Sequence, residues 1–134
     1  MIVNFIPYPT GFLWFGAYSN DDVDAPLMGS LECHLMTINQ PKTGIIKDLM
    51  THERFRRQGV ATYLLTTVQE CLADPAGRLG LEIPLLDTLL ASVEHHSPEV
   101  GIFAKCNFHP VGSNASRTVF QFDFRRHHAD ISMH

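Results

Sequence analysis

A short basic loop followed by a glycine is the part of this sequence best suited to chemistry. Arg56 and Arg57 precede Gln58 and Gly59, and a helical pattern of apolar residues begins directly after the glycine. The first amides of a helix have no partner within it, and the helix dipole gives them partial positive charge. A diphosphate is a natural ligand for such a helix start, because glycine permits close approach and the arginines add charge. The Thr62 hydroxyl either adds a hydrogen bond to this anion or belongs to an ordinary first turn.

An amphipathic helix must position this loop. Val60, Leu64, Val68 and Leu72 recur every four residues, which is the spacing of one helical face. The Asp, Pro and Gly residues within 74–77 are typical of a helix end. The pattern therefore predicts one helix between the basic loop and this terminator.

The segments around the helix are predicted to be mostly strands. Four strand candidates precede it, at residues 1–7, 11–18, 28–36 and 44–51. Their short, Pro- and Gly-containing connections predict an antiparallel meander. Beyond the helix, strands are predicted at residues 88–94 and 118–124 and a second helix at residues 97–106. Residues 78–87 are ambiguous, because Pro84 argues against one continuous element.

The basic loop and its surroundings resemble a known family. The pattern Arg-x-x-Gly-x-Ala at residues 56–61, between a strand and an amphipathic helix, resembles the coenzyme A motif of the GNAT N-acetyltransferases. The string DLMTHERFRRQGVATYLL is similar to the corresponding stretch of aminoglycoside 3-N-acetyltransferases in that superfamily. Residues 99–108 (EVGIFAKCNF) resemble the family's next helix, which usually ends Tyr-x-x-x-Gly-Phe. The resemblance covers roughly residues 11–124 and is specific over residues 45–65.

The resemblance implies one α+β domain over residues 1–134, with a mixed, mostly antiparallel twisted sheet and helices on both faces. In the family, one or two helices usually separate the first two strands and shape the acceptor site. Only residues 7–11 separate those candidates in this sequence, so the N-terminal helices are expected to be reduced. An open acceptor side would suit a bulky substrate or a site completed by a second subunit. Residues 125–134 are expected to form a loose tail.

The resemblance also implies which residues hold acetyl-coenzyme A. In the family, a parted strand pairs with pantetheine through its backbone, and the diphosphate lies over the next helix start. The corresponding cofactor-binding residues are Leu49, Met50, Thr51, Arg56, Arg57, Gln58, Gly59, Val60, Ala61, Thr62 and Phe103. Phe103 is expected to pack against pantetheine, and Arg54 is expected to be only a solvated charge at the rim.

The implied reaction moves an acetyl group from acetyl-coenzyme A to a primary amine by direct attack, and it needs a base for the acceptor ammonium. Asp48 on the parted strand is the first candidate and Glu94 at the end of the next strand is the second. His95 or His96 is the third. The structural alternative for Asp48 is an acid bonded to nearby backbone or to a basic side chain.

The family's usual general acid is missing from this sequence. Counting back from Asn107 and Phe108, which replace the family's Gly-Phe, places Phe103 where a Tyr often stands. Phenylalanine cannot donate a proton, so another group or water protonates the thiolate, or the thiolate leaves unaided. The last route is feasible because a thiol pKa is near 8.5.

Two functions stay open on these observations. One is an N-acetyltransferase whose acceptor is a small amine, a polyamine or a protein amine. The other is a coenzyme A-binding or interaction module that keeps the fold without turnover, which Phe103 and the reduced acceptor wall favour. The final strands of the family's fold often pair across subunits, which suggests a homodimer.

Composition excludes several other classes. The net charge of −4 does not indicate a nucleic-acid or membrane-surface binder. No apolar run approaches the roughly 20 residues of a membrane span. Three widely spaced cysteines do not form a disulfide framework, so a reduced, cytoplasmic protein is expected.

The histidines, cysteines and aromatic residues favour structural rather than catalytic roles. Eight histidines are present, but Cys33-His34, His95-His96, Cys106 with His109, and His127-His128 all lack the ligand spacing of a zinc site. No metal is therefore expected. Cys71 is assigned to the core, and Cys106 to packing rather than nucleophilic chemistry. The aromatic residues Phe12, Trp14, Phe15 and Tyr18 are assigned to the core and edge of the sheet.

Overall fold

The computed structural model describes residues 1–124, which form a seven-stranded sheet, three α-helices and a 3₁₀ turn. The strands are β1 (Ile2–Tyr8), β2 (Phe12–Tyr18), β3 (Leu27–Met36), β4 (Thr43–Thr51), β5 (Thr88–Glu94), β6 (His109–Ser113) and β7 (Arg117–Asp123). The helices are α1 (Val60–Ala73), α2 (Pro75–Leu79) and α3 (Glu99–Lys105), and the 3₁₀ turn is Glu53–Phe55. The expected loose tail lies outside the described residues.

The strand order in the sheet is β1-β2-β3-β4-β5-β7-β6. Neighbouring strands are antiparallel except β4 and β5, which are parallel. Short turns connect β1, β2, β3 and β4 in succession and permit only antiparallel pairing. Helices α1 and α2 carry the chain back across the sheet between β4 and β5, so these two strands can be parallel. The predicted four-strand meander and the α+β class are confirmed.

One strand and one α-helix were not predicted from the sequence. Strand β6 is exposed at all five positions and contains Pro110 and Gly112, so it has no apolar alternation. Among residues 1–124 it forms an edge of the sheet and pairs only with β7. Helix α2 begins at Pro75. The side chain of Asp74, the residue before it, accepts a hydrogen bond from the Gly77 amide. The same residues that end α1 therefore start a second short helix.

One face of the sheet carries the core. Residues paired across five strands share this face and are buried, namely Leu13, Cys33, Ile46, Ala91 and Phe120. Helix α1 covers them with its predicted apolar stripe, since Val60, Leu64, Val68 and Leu72 are all at most 1% exposed. Fully burying each such side chain contributes about 1.5–3 kcal/mol. No helix within residues 1–124 is long and apolar enough to cross a membrane.

Helices α1 and α3 lie on the same face, whereas helices on both faces were expected. The ring of Phe103 in α3 stacks on Phe120 of the core face, with 5.9 Å between centroids. Gln69 of α1 donates a hydrogen bond to the carbonyl of Cys106, just after α3, at 2.6 Å. Among the described residues no helix packs on the second face, because the β1–β2 connection is too short to contain one.

Aromatic side chains occupy part of this second face. The β2 register places Phe15 in the core and its neighbours Phe12 and Trp14 on the opposite side, where they are half-buried. The Phe12 ring stacks between Tyr8 and His34 at centroid distances of 4.5 and 4.9 Å. These aromatics were assigned from the sequence to the core and edge of the sheet; Phe15 lies in the core, whereas Phe12 and Trp14 are half-buried on the second face.

Candidate active site

Strands β4 and β5 are paired over only part of their lengths. Their parallel register joins residues 43–46 to residues 88–91. Strand β4 then continues to Thr51 and β5 to Glu94 without further pairing between them. The predicted parting of a strand is therefore present in the structure.

A bulge in β4 accounts for this separation. Asp48 has a φ of 54°, and the pairing of β4 with β3 shifts register between Ser30 and Glu32. A bulge bends its strand and increases the local twist, so the end of β4 turns away from β5. Asp48 consequently lies at the point where the two strands diverge.

The diverging strands open a cavity of about 530 Å³. Its wall includes residues 45–49 of β4, residues 92–94 of β5, Glu99 and Phe103 of α3, and Arg117 of β7. Four residues singled out from the sequence are thus brought together, namely Asp48, Leu49, Glu94 and Phe103. The other cofactor candidates lie beyond this cavity, along the end of β4 and the start of α1.

Gly29 of β3 allows the end of β4 and the start of α1 to come together. A Cβ at Gly29 would lie 2.7 Å from the Met50 carbonyl oxygen and 2.9 Å from a Val60 methyl carbon. The His52 amide also donates to the Met28 carbonyl at 2.9 Å. These contacts hold the first turn of α1 beside the parted strand.

The first amides of α1 have no acceptor in the part of the chain that the structure describes. Gly59 precedes the helix with φ 75° and ψ 15°, and no side chain caps it. The first backbone hydrogen bond of the helix is from the Tyr63 amide to the Gly59 carbonyl, at 3.0 Å. Within residues 1–124, the amides of residues 59–62 have no acceptor, and the first turn contains no acid. This arrangement fits an anionic ligand.

The arginines beside this helix start differ in their contacts. Arg56 and Arg57 are exposed and make no ion pair with any described residue. Arg54 is also exposed, as expected, and its guanidinium carbon lies 5.1 Å from the centroid of the Phe55 ring. Arg56 and Arg57 therefore keep their charge available for a ligand.

The two proposed bases have different surroundings. Asp48 is exposed, and its carboxylate makes no hydrogen bond or ion pair with residues 1–124. Glu94 is exposed and lies 3.4 Å from an Arg117 Nη atom. Arg117 is held in place by hydrogen bonds of 2.8 Å to both the hydroxyl and the carbonyl of Ser92. His95 and His96 line a separate cavity that shares the Glu94–Arg117 wall.

Sequence reasoning did not select Glu99, which lines the same cavity. Burial raises the pKa of the Glu99 carboxyl, nearby Glu94 raises it further, and Arg117 opposes the shift. The sequence signal was its spacing of four residues from Phe103, which places both on one helical face.

Phe103 contributes to both the cavity and the core. Its side chain is 2% exposed and meets Phe108 edge to face, with 5.0 Å between centroids. The cavity therefore has an aromatic wall without a hydroxyl at this position.

Cysteine chemistry and a metal centre find no support among the described residues. Burial raises the pKa of Cys33 to about 12 and also raises the pKa of Cys106. Since the thiolate is the nucleophile, Cys106 is suited to packing. Cys71, assigned to the core, is half-buried and packs against the core. Within residues 1–124 no three His, Cys, Asp or Glu side chains are arranged so that they could hold a metal ion. His127 and His128 lie outside the described residues.

Comparison with known proteins identifies the class to which this fold and site belong. The model of the Acetyltransferase (GNAT) family matches residues 2–108. The chain therefore belongs to the GNAT acetyltransferase family. No curated protein matches the sequence.

Solved structures show the same fold at low sequence identity. Arabidopsis thaliana NAA60 in complex with a bisubstrate analogue is 16% identical, with a TM-score of 0.67 over 86% of this chain and 76% of that chain. Campylobacter jejuni N-acetyltransferase PseH with acetyl coenzyme A is 10% identical, with a TM-score of 0.61 over 85% and 69%. A spermidine N-acetyltransferase SpeG chimera from Vibrio cholerae and hSSAT is 16% identical, with a TM-score of 0.61 over 88% and 70%.

Proposed function

We propose that this protein binds acetyl-coenzyme A and transfers its acetyl group to a primary amine by direct attack. The observation that carries the proposal is the separation of β4 from β5 directly beside the free amides of α1. A parted strand offers unpaired backbone groups to an extended chain, and a helix start offers donors to phosphates. Family membership supports acyl transfer as the reaction class.

Acetyl-coenzyme A would lie across the parted end of β4 and the start of α1. Pantetheine would follow residues 49–51, and the diphosphate would lie over residues 58–62, with charge from Arg56 and Arg57. Phe103 would form an apolar wall for pantetheine within the cavity. The structure of PseH with acetyl coenzyme A shares this fold, which supports the choice of cofactor.

The chemistry requires proton removal from the acceptor. Asp48 or Glu94 would take the first proton from the ammonium, directly or through water. The amine nitrogen then attacks the thioester carbon and forms the C–N bond. The C–S bond breaks, and its electron pair leaves with sulfur. The nitrogen loses its second proton, sulfur gains one, and one proton is released overall.

The acceptor side of the site would be open. Within residues 1–124 no helix covers the second face of the sheet, so a bulky amine can approach the cavity. Three carboxylates, at Asp48, Glu94 and Glu99, line the cavity together with two basic side chains, Lys47 and Arg117, so acidic groups exceed basic groups by one. This charge favours an acceptor that arrives as a cation.

Thiol release from acetyl-coenzyme A is the test of the reaction. The protein would be incubated with acetyl-coenzyme A and a polyamine, an amino sugar, a peptide with a free N-terminus or a protein lysate. Release that depends on an amine, with an acetylated product found by mass spectrometry, is the expected result. A rise in melting temperature with acetyl-coenzyme A but no release with any amine would indicate the binding module instead. No rise and no release would contradict the whole proposal.

The paired substitution of Arg56 and Arg57 by glutamine is expected to weaken acetyl-coenzyme A binding about tenfold or more. Each lost charge-assisted hydrogen bond to a charged group contributes about 1.5–3 kcal/mol, and solvent screening at this exposed loop reduces that contribution. Calorimetry at two salt concentrations measures the effect, which should shrink at high salt. Arg78→Gln is the control, because Arg78 is exposed on α2 away from the site. Equal affinity in all three proteins would contradict a role for the loop arginines.

A further inference from the structure

Helix α3 presents Glu99 and Phe103 to the same cavity. The two residues are four positions apart, so they lie one turn from each other on one side of the helix. Both line the space between the parted strands. Glu99 therefore provides an ionisable carboxyl one turn away from Phe103, whose side chain has no proton to donate.

The Glu99 carboxylate is not engaged elsewhere. Its backbone amide donates a hydrogen bond to the Ser97 hydroxyl oxygen at 3.2 Å, but its carboxylate has no hydrogen bond or ion pair within residues 1–124. It is half-buried, whereas 72% of the Glu94 side chain is exposed. A free carboxylate on the inner wall of a cavity is well placed to exchange a proton with a bound substrate.

Charged groups from three strands face the same space. Lys47 and Asp48 come from β4, Glu94 from β5 and Arg117 from β7. Burial is the main reason that the Glu99 pKa is raised, with Glu94 acting in the same direction and Arg117 against it. A carboxyl whose pKa is closer to neutral is better suited to both accept and return a proton.

We propose that Glu99 relays a proton from the attacking amine to the departing thiolate, in place of the hydroxyl that Phe103 lacks. This proposal rests on the proposed acetyl transfer. After the C–N bond forms, the Glu99 carboxylate takes the second proton from nitrogen. As the C–S bond breaks, the protonated carboxyl gives that proton to sulfur, so Glu99 ends the cycle as it began. The first ammonium proton leaves to solvent through Asp48, Glu94 or water.

Replacing Glu99 by glutamine tests the relay. We expect kcat to fall about 100-fold or more, since general acid–base catalysis contributes about 10²–10⁴-fold. The KM for acetyl-coenzyme A should change little, because the cofactor is held mainly by β4 and α1. Glu99→Asp keeps an ionisable group and should recover part of kcat. Glu70→Gln is the control, because Glu70 is exposed on α1 outside the cavity.

The pH profile separates a relay from a structural role. In the unaltered enzyme, kcat should rise as Glu99 ionises, above the ordinary carboxyl pKa of about 4.3. Glu99→Gln should lose this part of the profile. A carboxyl with a raised folded-state pKa stabilises the fold only at low pH and loses that contribution as pH rises. Glu99→Gln should therefore unfold at the same or a slightly higher temperature at pH 7.

The outcomes distinguish the relay from the proposed function. A large loss of kcat with an altered pH profile, partly restored in Glu99→Asp, supports the relay. A kcat within about threefold of the unaltered enzyme, or a loss with an unchanged pH profile, overturns it while acetyl transfer stands. If the unaltered protein releases no thiol with any amine, the proposed function itself fails and the relay with it.

Discussion

Replacing Gly59 by alanine is expected to weaken acetyl-coenzyme A binding about 10- to 100-fold, or about 1.4–2.8 kcal/mol. Gly59 has a φ of 75°, and a Cβ built there meets no heavy atom of the described chain within 4 Å. Apart from its own chain neighbours, the added methyl group therefore meets no atom of residues 1–124. It would instead occupy the space through which the diphosphate reaches the amides of α1. Titration calorimetry with acetyl-coenzyme A measures the loss.

Gly80→Ala provides a matched control for this prediction. Gly80 has a φ of 65° and a ψ of 25°, close to the Gly59 conformation, and its added Cβ also meets nothing within 4 Å. Both variants carry a similar left-handed strain of about 1–2 kcal/mol. Only Gly59→Ala should lose affinity, because Gly80 follows α2 outside the site. Equal affinities in the two variants would show that the diphosphate does not contact this helix start.

Replacing Phe103 by alanine is expected to lower the free energy of unfolding by about 3–5 kcal/mol. The ring is 2% exposed and packs against Phe108 and Phe120, so its removal leaves a hole between α3 and β7. Such a loss is a large part of the roughly 5–15 kcal/mol available to a domain. Urea unfolding followed by circular dichroism measures the change.

Tyr8→Ala is the control for the core prediction. Tyr8 stacks on Phe12 with 4.5 Å between centroids but is 43% exposed on the second face. Its removal should cost clearly less than the removal of Phe103. A cost for Phe103→Ala below about 1 kcal/mol would show that the ring is not a packed part of the core.

The helix start was predictable because its signals are local. Gly59 is followed by apolar residues that recur every four positions, and this pattern predicted where α1 begins. The Arg56–Gly59 loop led to the anion-site hypothesis. The strand before it was also predicted, because Gly44 and the apolar residues after it form a short run bounded by turns. These features depend on neighbouring residues in the chain.

The bulge in β4 was not predictable in the same way. Asp48 takes a positive φ because β4 must fit the register of β3 on both sides of the bulge. Glu99 was placed only within the predicted helix at residues 97–106, since no local signal shows which helix face closes a cavity. Strand β6 lacks apolar alternation and depends on its pairing with β7. Each of these features is set by partners distant in sequence.

The most direct test of the cofactor site is backbone amide chemical-shift mapping by NMR, with acetyl-coenzyme A titrated into labelled protein. We predict saturable shifts whose largest values fall on the amides of residues 49–51 and 59–62. These amides belong to the parted strand and to the helix start that the site requires. Absence of shifts, or shifts confined to the aromatic second face around Phe12, would contradict this placement of the cofactor.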